Sequence, residues 1–242
     1  MLKLISLPLP TVSLIFLAVT LIPCYIKYKK LKKKYNEQVL FKERHNCVVM
    51  YTAQLGMKGW PPSEARICPN IIEKDCLDRM YEPILYFINT SVITLDIAYM
   101  MISINKIYDA LFEARKRGVE IRLIMNFDHC KSDLSSIRKC INQGIKVQLY
   151  ISKKTNLESI MHYKSMLKDY EENKQGYVMA GSMNLTKTAF LDNYEDLVFM
   201  SDLNIARAIH TNFEKCWRYI KTENENLVNK STLMELNILE DN

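Results

Sequence analysis

The stretch His162–Asn184, HYKSMLKDYEENKQGYVMAGSMN, sets a His and a Lys two residues apart and, beyond a polar segment, a Ser and an Asn two residues apart. Side chains i and i+2 of a strand share a face. His162 and Lys164 therefore share one, and so do Ser182 and Asn184. The intervening DYEENKQG, closed by Gly176, has the composition of a turn. Paired as a hairpin, the two runs gather four polar side chains on one surface.

Outward from the hairpin the chain reads as α/β. CVVMYTA, VITLDIAYM, VEIRLIMNF, IKVQLYI and YEDLVFM have the apolar, β-branched character of strands. Between them, IIEKDCLDRMYEPILYFINT has helical spacing that Pro83 must kink or interrupt. NKIYDALFEARKRG predicts a helix with Asn105 as N-cap and Gly118 as its stop, and SDLSSIRKCINQG one ending at Gly144. LTKTAFL and NIARAIHTNFEKCWRYI complete the pattern. Strands alternating with helices imply a mixed sheet flanked by helices.

Composition narrows the partners. The 242 residues carry a net charge of +6, but residues 1–34 hold seven lysines and no acid, and residues 222–242 hold five acids and one lysine, which leaves about +3 for 35–221. The main domain is mildly basic, so bulk charge does not imply strong non-specific nucleic-acid binding. Seven cysteines without a disulfide-like spacing favour free thiols in a reducing compartment. Leu4 to Ile26 is uncharged, its cleanest part being TVSLIFLAVTLI between Pro10 and Pro23, and KYKKLKKKY follows with six lysines. A positive cluster after the apolar run predicts an anchor whose C-terminal domain stays cytosolic; a signal peptide has its charges before the run. The expected organisation is an anchor with a basic flank over 1–34, a catalytic domain over 35–221 and an acidic, disordered tail over 222–242.

The residue types suit phosphodiester chemistry. A His can attack phosphorus and form a covalent intermediate. Lys164 can neutralise phosphate oxygens, with Ser182 and Asn184 as hydrogen-bond donors. Glu195 can accept from the far nitrogen of a His and stabilise its charged form. The ordered set His162-x-Lys164-x4-Asp169, Gly181-Ser182-x-Asn184 and Glu195 resembles the phospholipase D superfamily, in particular its small single-motif Zucchini and mitochondrial cardiolipin hydrolase type. The similarity runs from Val92 to Trp217 and includes ARKRGVEIRLIMNFD and NFEKCWRYI. It implies a phospholipase-D-like fold with one half-site per chain, and a homodimer in which each chain gives one His. It further implies a phosphohistidine intermediate without cofactor or metal, and a place on the mitochondrial outer membrane. The substrate it implies is single-stranded RNA, cut to a 5′-phosphate end as in piRNA biogenesis. The alternatives are a cardiolipin hydrolase and an inactive membrane scaffold.

Asp169 lies an odd step from His162 and faces away from it on a regular strand, which makes it a structural residue tying down the hairpin. Eleven residues separate Asp169 from Gly181, where the family has about six, so a longer tip is expected to alter substrate access. The family's zinc-binding insertion is not expected: Cys47 and Cys68 are weak candidate ligands, and Cys68 has neither a Cys two residues on nor a His near it. Cys76 reads as a core thiol. Asp128 and His129 follow a strand end, where α/β sites often lie, and read first as loop caps with a site role as the alternative; His210 reads as a surface residue of the last helix.

Overall fold

The computed structural model describes residues 9–62, 74–152 and 159–238, with 9–18 and 74–77 by backbone only. The chain divides into two compact units, Met1–Glu43 and Arg44–Asn242. The first contains helix α1 (Leu9–Arg44), which runs on through Pro23 instead of breaking there. The lysine run lies within this helix, which ends at Arg44. Among the described residues no helix is long and apolar enough to cross a membrane. The apolar run TVSLIFLAVTLI falls mostly where the backbone alone is described.

The second unit is built on one eight-stranded mixed sheet in the order β2-β1-β8-β7-β6-β3-β4-β5. Its strands are β1 (Cys47–Thr52), β2 (Gly56–Lys58), β3 (Thr94–Tyr99), β4 (Glu120–Asn126), β5 (Lys146–Tyr150), β6 (Lys164–Glu171), β7 (Gln175–Gly181) and β8 (Glu195–Met200). Helices α2 (Lys74–Asn89), α3 (Asn105–Lys116), α4 (Phe127–Cys130), α5 (Leu134–Asn142), α6 (Lys187–Leu191), α7 (Leu203–Asn224) and α8 (Leu227–Glu235) complete it. Strands β3, β4 and β5 are parallel, joined by crossovers through α3 and α5; the other pairs are antiparallel.

Strand alternation divides the core. Leu95, Ile97, Leu123, Met125, Met166 and Leu197 face one way, packing with Ile84, Phe87, Ile107, Leu111 and Ile137 of α2, α3 and α5. Ala98 and Ile124 face the other way, against Phe213, Trp217 and Ile220 of α7. Arg122 pins that helix: it grips Asp96 with two 2.7 Å bonds, meets Glu214 at 2.6 Å and lies under the rings of Phe213 and Trp217. Gly118, with φ +94, stops α3 as its spacing predicts. The N-cap of α3 is Ile104, with Asn105 already inside the helix, and α2 continues through Pro83.

Three expectations need correction. The tail is not disordered over 222–238: Asn226 caps α8 by accepting from Asn229 N at 2.9 Å, and Leu233 and Ile238 are buried in the core. Tertiary burial of these two side chains holds a segment whose composition is acidic. The eleven residues after Asp169 are mostly strand, with only 172–174 between β6 and β7. That tip lies at the opposite end of β6 from Lys164, roughly 23 Å away at about 3.3 Å per residue, and cannot shape the mouth of the site. It folds onto α7, where Arg207 donates to Asn173 Oδ1 at 2.8 Å and His210, half-buried, stacks on Tyr170 at 4.4 Å.

Asp169 is buried, with φ +50, where the β6–β7 register shifts. Its Oδ1 accepts from the backbone N–H groups of Val92, Ile93 and Thr94 at 2.9, 2.7 and 3.2 Å. The preceding Lys168 is fully buried, donates to Phe87 O at 3.2 Å and to Thr90 Oγ1, and lies over the Phe87 ring. Burial pushes its amine down to about 7, opposed by Asp169.

Asp169→Ala strands three backbone donors and is expected to lower stability by about 3 kcal/mol, with Asp169→Asn about half as damaging; urea midpoints at unchanged slope check this. For Lys168 the folded value lies below the unfolded one of about 10.4, so above about pH 7 the unfolded chain binds the extra proton and stability rises with pH. Relative to Lys168→Met, the parent is expected to gain about 2 kcal/mol between pH 7.5 and 9.5 in paired urea titrations.

Candidate active site

The candidate site forms where β6 begins and β7 ends. Lys164 sits opposite Tyr99 on β3, and Met100 N donates to Tyr163 O at 2.9 Å, which carries the ladder one step past the strand. His162 therefore stands just before β6, exposed, on a fixed backbone. The Lys164 side chain is buried and turns back to it: Nζ donates to His162 O at 3.0 Å and lies 3.2 Å from His162 Nε2. An ammonium has donors only, so this contact requires a lone pair on Nε2. Burial lowers the Lys164 pKa, and the charge of Glu195 opposes the shift.

On the neighbouring strands, Ser182 N donates to Asp196 O at 3.2 Å and Asp196 N donates to Ser182 Oγ at 3.1 Å. Ser182 Oγ donates to Glu195 Oε2, while Asn193 Nδ2 donates to Oε1 at 2.8 Å. This lock depends on Gly181: a Cβ there would lie 2.0 Å from Asp196 O. Asn184 stands between two buried residues, Met183 and Leu185. Leu185 is tied by its N–H to Met101 O at 3.2 Å and by its carbonyl to Ser103 N at 2.9 Å. Asn184 Oδ1 is enclosed with no hydrogen-bond partner.

The sequence-chosen residues thus fall into two pairs at one end of the sheet, His162 with Lys164 and Ser182 with Glu195, with Asn184 beside the second. One expected bond differs. The side-chain bonds of Glu195 go to Ser182 and Asn193, not to His162, because β8 lies two strands from β6. Asp169 lies at the far end of β6, outside the site. Asn193, which steers Glu195, was not singled out from sequence; its position two residues before Glu195 was the available signal. The exposed rings of Tyr163 and Tyr194, each adjacent in sequence to a site residue, were also not singled out.

The described residues do not fit a zinc site. The Cys47 thiol donates to Arg44 O, and burial pushes it up to about 11. Cys68 lies outside the described residues, as does the side chain of Cys76. Among the described residues no cluster of three or more His, Cys, Asp or Glu could hold a metal ion.

A mixed α/β sheet carrying one His-x-Lys half-site is the class this geometry defines. Residues 84–217 match the family model described as "Cardiolipin synthase, PLD-like domain", and the chain belongs to that phospholipase-D-like family. It is 24% identical over 241 residues to a mitochondrial cardiolipin hydrolase of Drosophila melanogaster, covering 88% of this chain and 92% of the fly protein. It is 27% identical over 137 residues to the protein of that name from Chlamydomonas reinhardtii, spanning 57% of each. NucT from Helicobacter pylori shares the fold with a TM-score of 0.50 at 21% identity, over 57% of this chain and 87% of that one.

Gly181→Ala is expected to force β7 from β8 and lower stability by about 3 kcal/mol, with activity lost as Ser182 and Glu195 separate. Thermal melts and a phosphodiesterase assay on the soluble fraction check both.

Proposed function

We propose that this chain is a phosphodiesterase that works through a phosphohistidine at His162, as a homodimer. The observation that carries the reading is the lone pair of His162 Nε2 beside the buried Lys164 ammonium, a nucleophile and a cation 3.2 Å apart. A phosphate entering the site replaces His162 as the acceptor for Lys164. Nε2 then attacks phosphorus, and the P–N bond forms as the P–O bond to the leaving alcohol breaks. That oxygen takes a proton from a second His, supplied about a two-fold axis by the other subunit. Water then attacks phosphorus, its proton returning to the second His, and the P–N bond breaks to release a phosphomonoester and free Nε2. Asn184 donates to the phosphoryl oxygens as charge builds, and Ser182 joins it by turning its one hydroxyl proton away from Glu195. Lys164 performs the charge neutralisation for which other phosphodiesterases use a metal.

Single-stranded RNA is the proposed substrate. Tyr163 and Tyr194, 46% and 77% exposed, offer ring faces on which unpaired bases can stack. The names of the fly and algal relatives favour cardiolipin as the second reading. Either substrate accords with an N-terminal anchor over 1–34 in the mitochondrial outer membrane and a domain facing the cytosol.

End-labelled single-stranded RNA, incubated in EDTA with the parent and with His162→Ala, tests the reading. The parent is expected to cut it to 5′-phosphate ends, with the variant at least about a thousandfold slower. Phosphatidate release from cardiolipin vesicles by the parent alone would move the substrate to lipid. Equal inactivity of both proteins on both substrates would leave a scaffold. A monomer that cuts at full rate would remove the dimer from the mechanism.

A further inference from the structure

The end of β4 carries a second histidine that the half-site does not use. Asn126 is buried at 1% exposure, and its Oδ1 accepts from the backbone N–H of His129 at 3.3 Å. A backbone N–H can be met only by the carboxamide oxygen, which fixes which way the Asn126 amide is turned. The same Oδ1 lies 2.9 Å from His129 Nδ1. In the neutral ring Nδ1 therefore holds the proton, and the partly exposed His129 presents Nε2 as an acceptor. Asn126 Nδ2 is enclosed without a partner, a penalty that an Asp cap would avoid. An Asp would also favour the charged ring, whose Nε2 is a donor. Asn at 126 keeps the lone pair.

This lone pair belongs to the same end of the sheet as His162. Asn126 N donates to Met100 O at 3.4 Å and Met100 N donates to Tyr163 O at 2.9 Å, so two backbone bonds join the His129 support to the residue between His162 and Lys164. β4 lies two strands from β6, roughly 10 Å at the usual spacing. A neutral Nε2 repels phosphate oxygens and accepts from hydroxyls. Resting on the proposed phosphodiesterase reading, both candidate substrates share one such group: the leaving alcohol carries a hydroxyl on the neighbouring carbon. In RNA it is the ribose 2′-hydroxyl beside the departing 3′-oxygen. In cardiolipin it is the central hydroxyl of the linking glycerol.

We propose that His129, oriented by Asn126, is a specificity residue that accepts a hydrogen bond from the hydroxyl vicinal to the scissile phosphodiester. The site thereby selects 1,2-diol leaving groups over deoxy ones.

The test reads binding and does not depend on cleavage. Full-length parent and His129→Phe, each in a His162→Ala background, are titrated with a short labelled RNA and with DNA of the same sequence. A parallel arm uses vesicles of cardiolipin and of its analogue linked by propane-1,3-diol. In one pair the parent is expected to prefer the hydroxyl-bearing ligand by about tenfold, and His129→Phe to erase that preference. The pair that shows it identifies the source of the hydroxyl. Nitrogen-15 spectra are expected to show His129 protonated at Nδ1, with the Nε2 signal shifting on addition of the preferred ligand. Equal affinities within both pairs, a preference that survives His129→Phe, or a proton on Nε2 would overturn the proposal. Failure of the phosphodiesterase reading shows separately, as absence of cleavage by the parent.

Discussion

The carboxylate of Asp169 holds three successive backbone N–H groups more than seventy residues away in sequence, and the rest of the domain is aligned from that point. Its neighbour Lys168 holds the other side of the same turn, donating to Phe87 O near the end of α2 and to Thr90 Oγ1 beyond it. Together they clamp the passage from α2 to β3 against β6. The clamp sets the register in which Leu95 meets Lys168 and Tyr99 meets Lys164. Side chains alternate along a strand, so a slip of one residue would turn Lys164 onto the α7 face, away from His162. The left-handed backbone at Asp169 puts the carboxylate where the N–H groups are, which a regular strand would not.

From that register the chemistry follows with little further adjustment. β6 acts as a rigid spacer whose far end carries Lys164, buried on the sheet face and turned toward His162. The amine is held by acceptors that a phosphate can replace, so charge waits in position before substrate arrives. The second strand pair is fixed differently. Gly181 lets β7 and β8 approach until Ser182 and Asp196 exchange hydrogen bonds, and Glu195 is then drawn across to Ser182. One pair depends on a strand's length and the other on a missing methyl group.

Much of this was legible in the sequence because it rests on periodicity and local chemistry. Apolar, β-branched runs marked β3 and β4, the two-residue spacing of His162 and Lys164 marked β6, Gly118 marked the end of α3, and the ordered polar set marked the site. What was not legible rests on tertiary contact. The last helix reads as an acidic tail until Leu233 and Ile238 find the core. The long spacing after Asp169 reads as a loop until its residues pair as strands and Arg207 and His210 receive the tip. Glu195 reads as a partner for His162 until the strand order sets β7 between them. Asn105 reads as a cap because Asn favours that place, yet Ile104 holds it, since the turn before α3 is already anchored through Leu185.

In the proposed reaction, the distribution of proton donors is the reason for invoking two chains. Attack by His162 Nε2 drives the leaving oxygen away on the opposite side of phosphorus, and an acid must wait there. The titratable groups described around the site are each engaged elsewhere. Lys164 is committed to the attacking side, beside the nucleophile. Glu195 is engaged with Ser182 and Asn193. The Tyr99 hydroxyl is sealed in the core. His129 is held by Asn126 and, in the role proposed for it, is occupied by the vicinal hydroxyl. A two-fold partner answers the deficit with the residue already present: the exposed imidazole that attacks in one half-site, once protonated, is the acid the other half-site lacks.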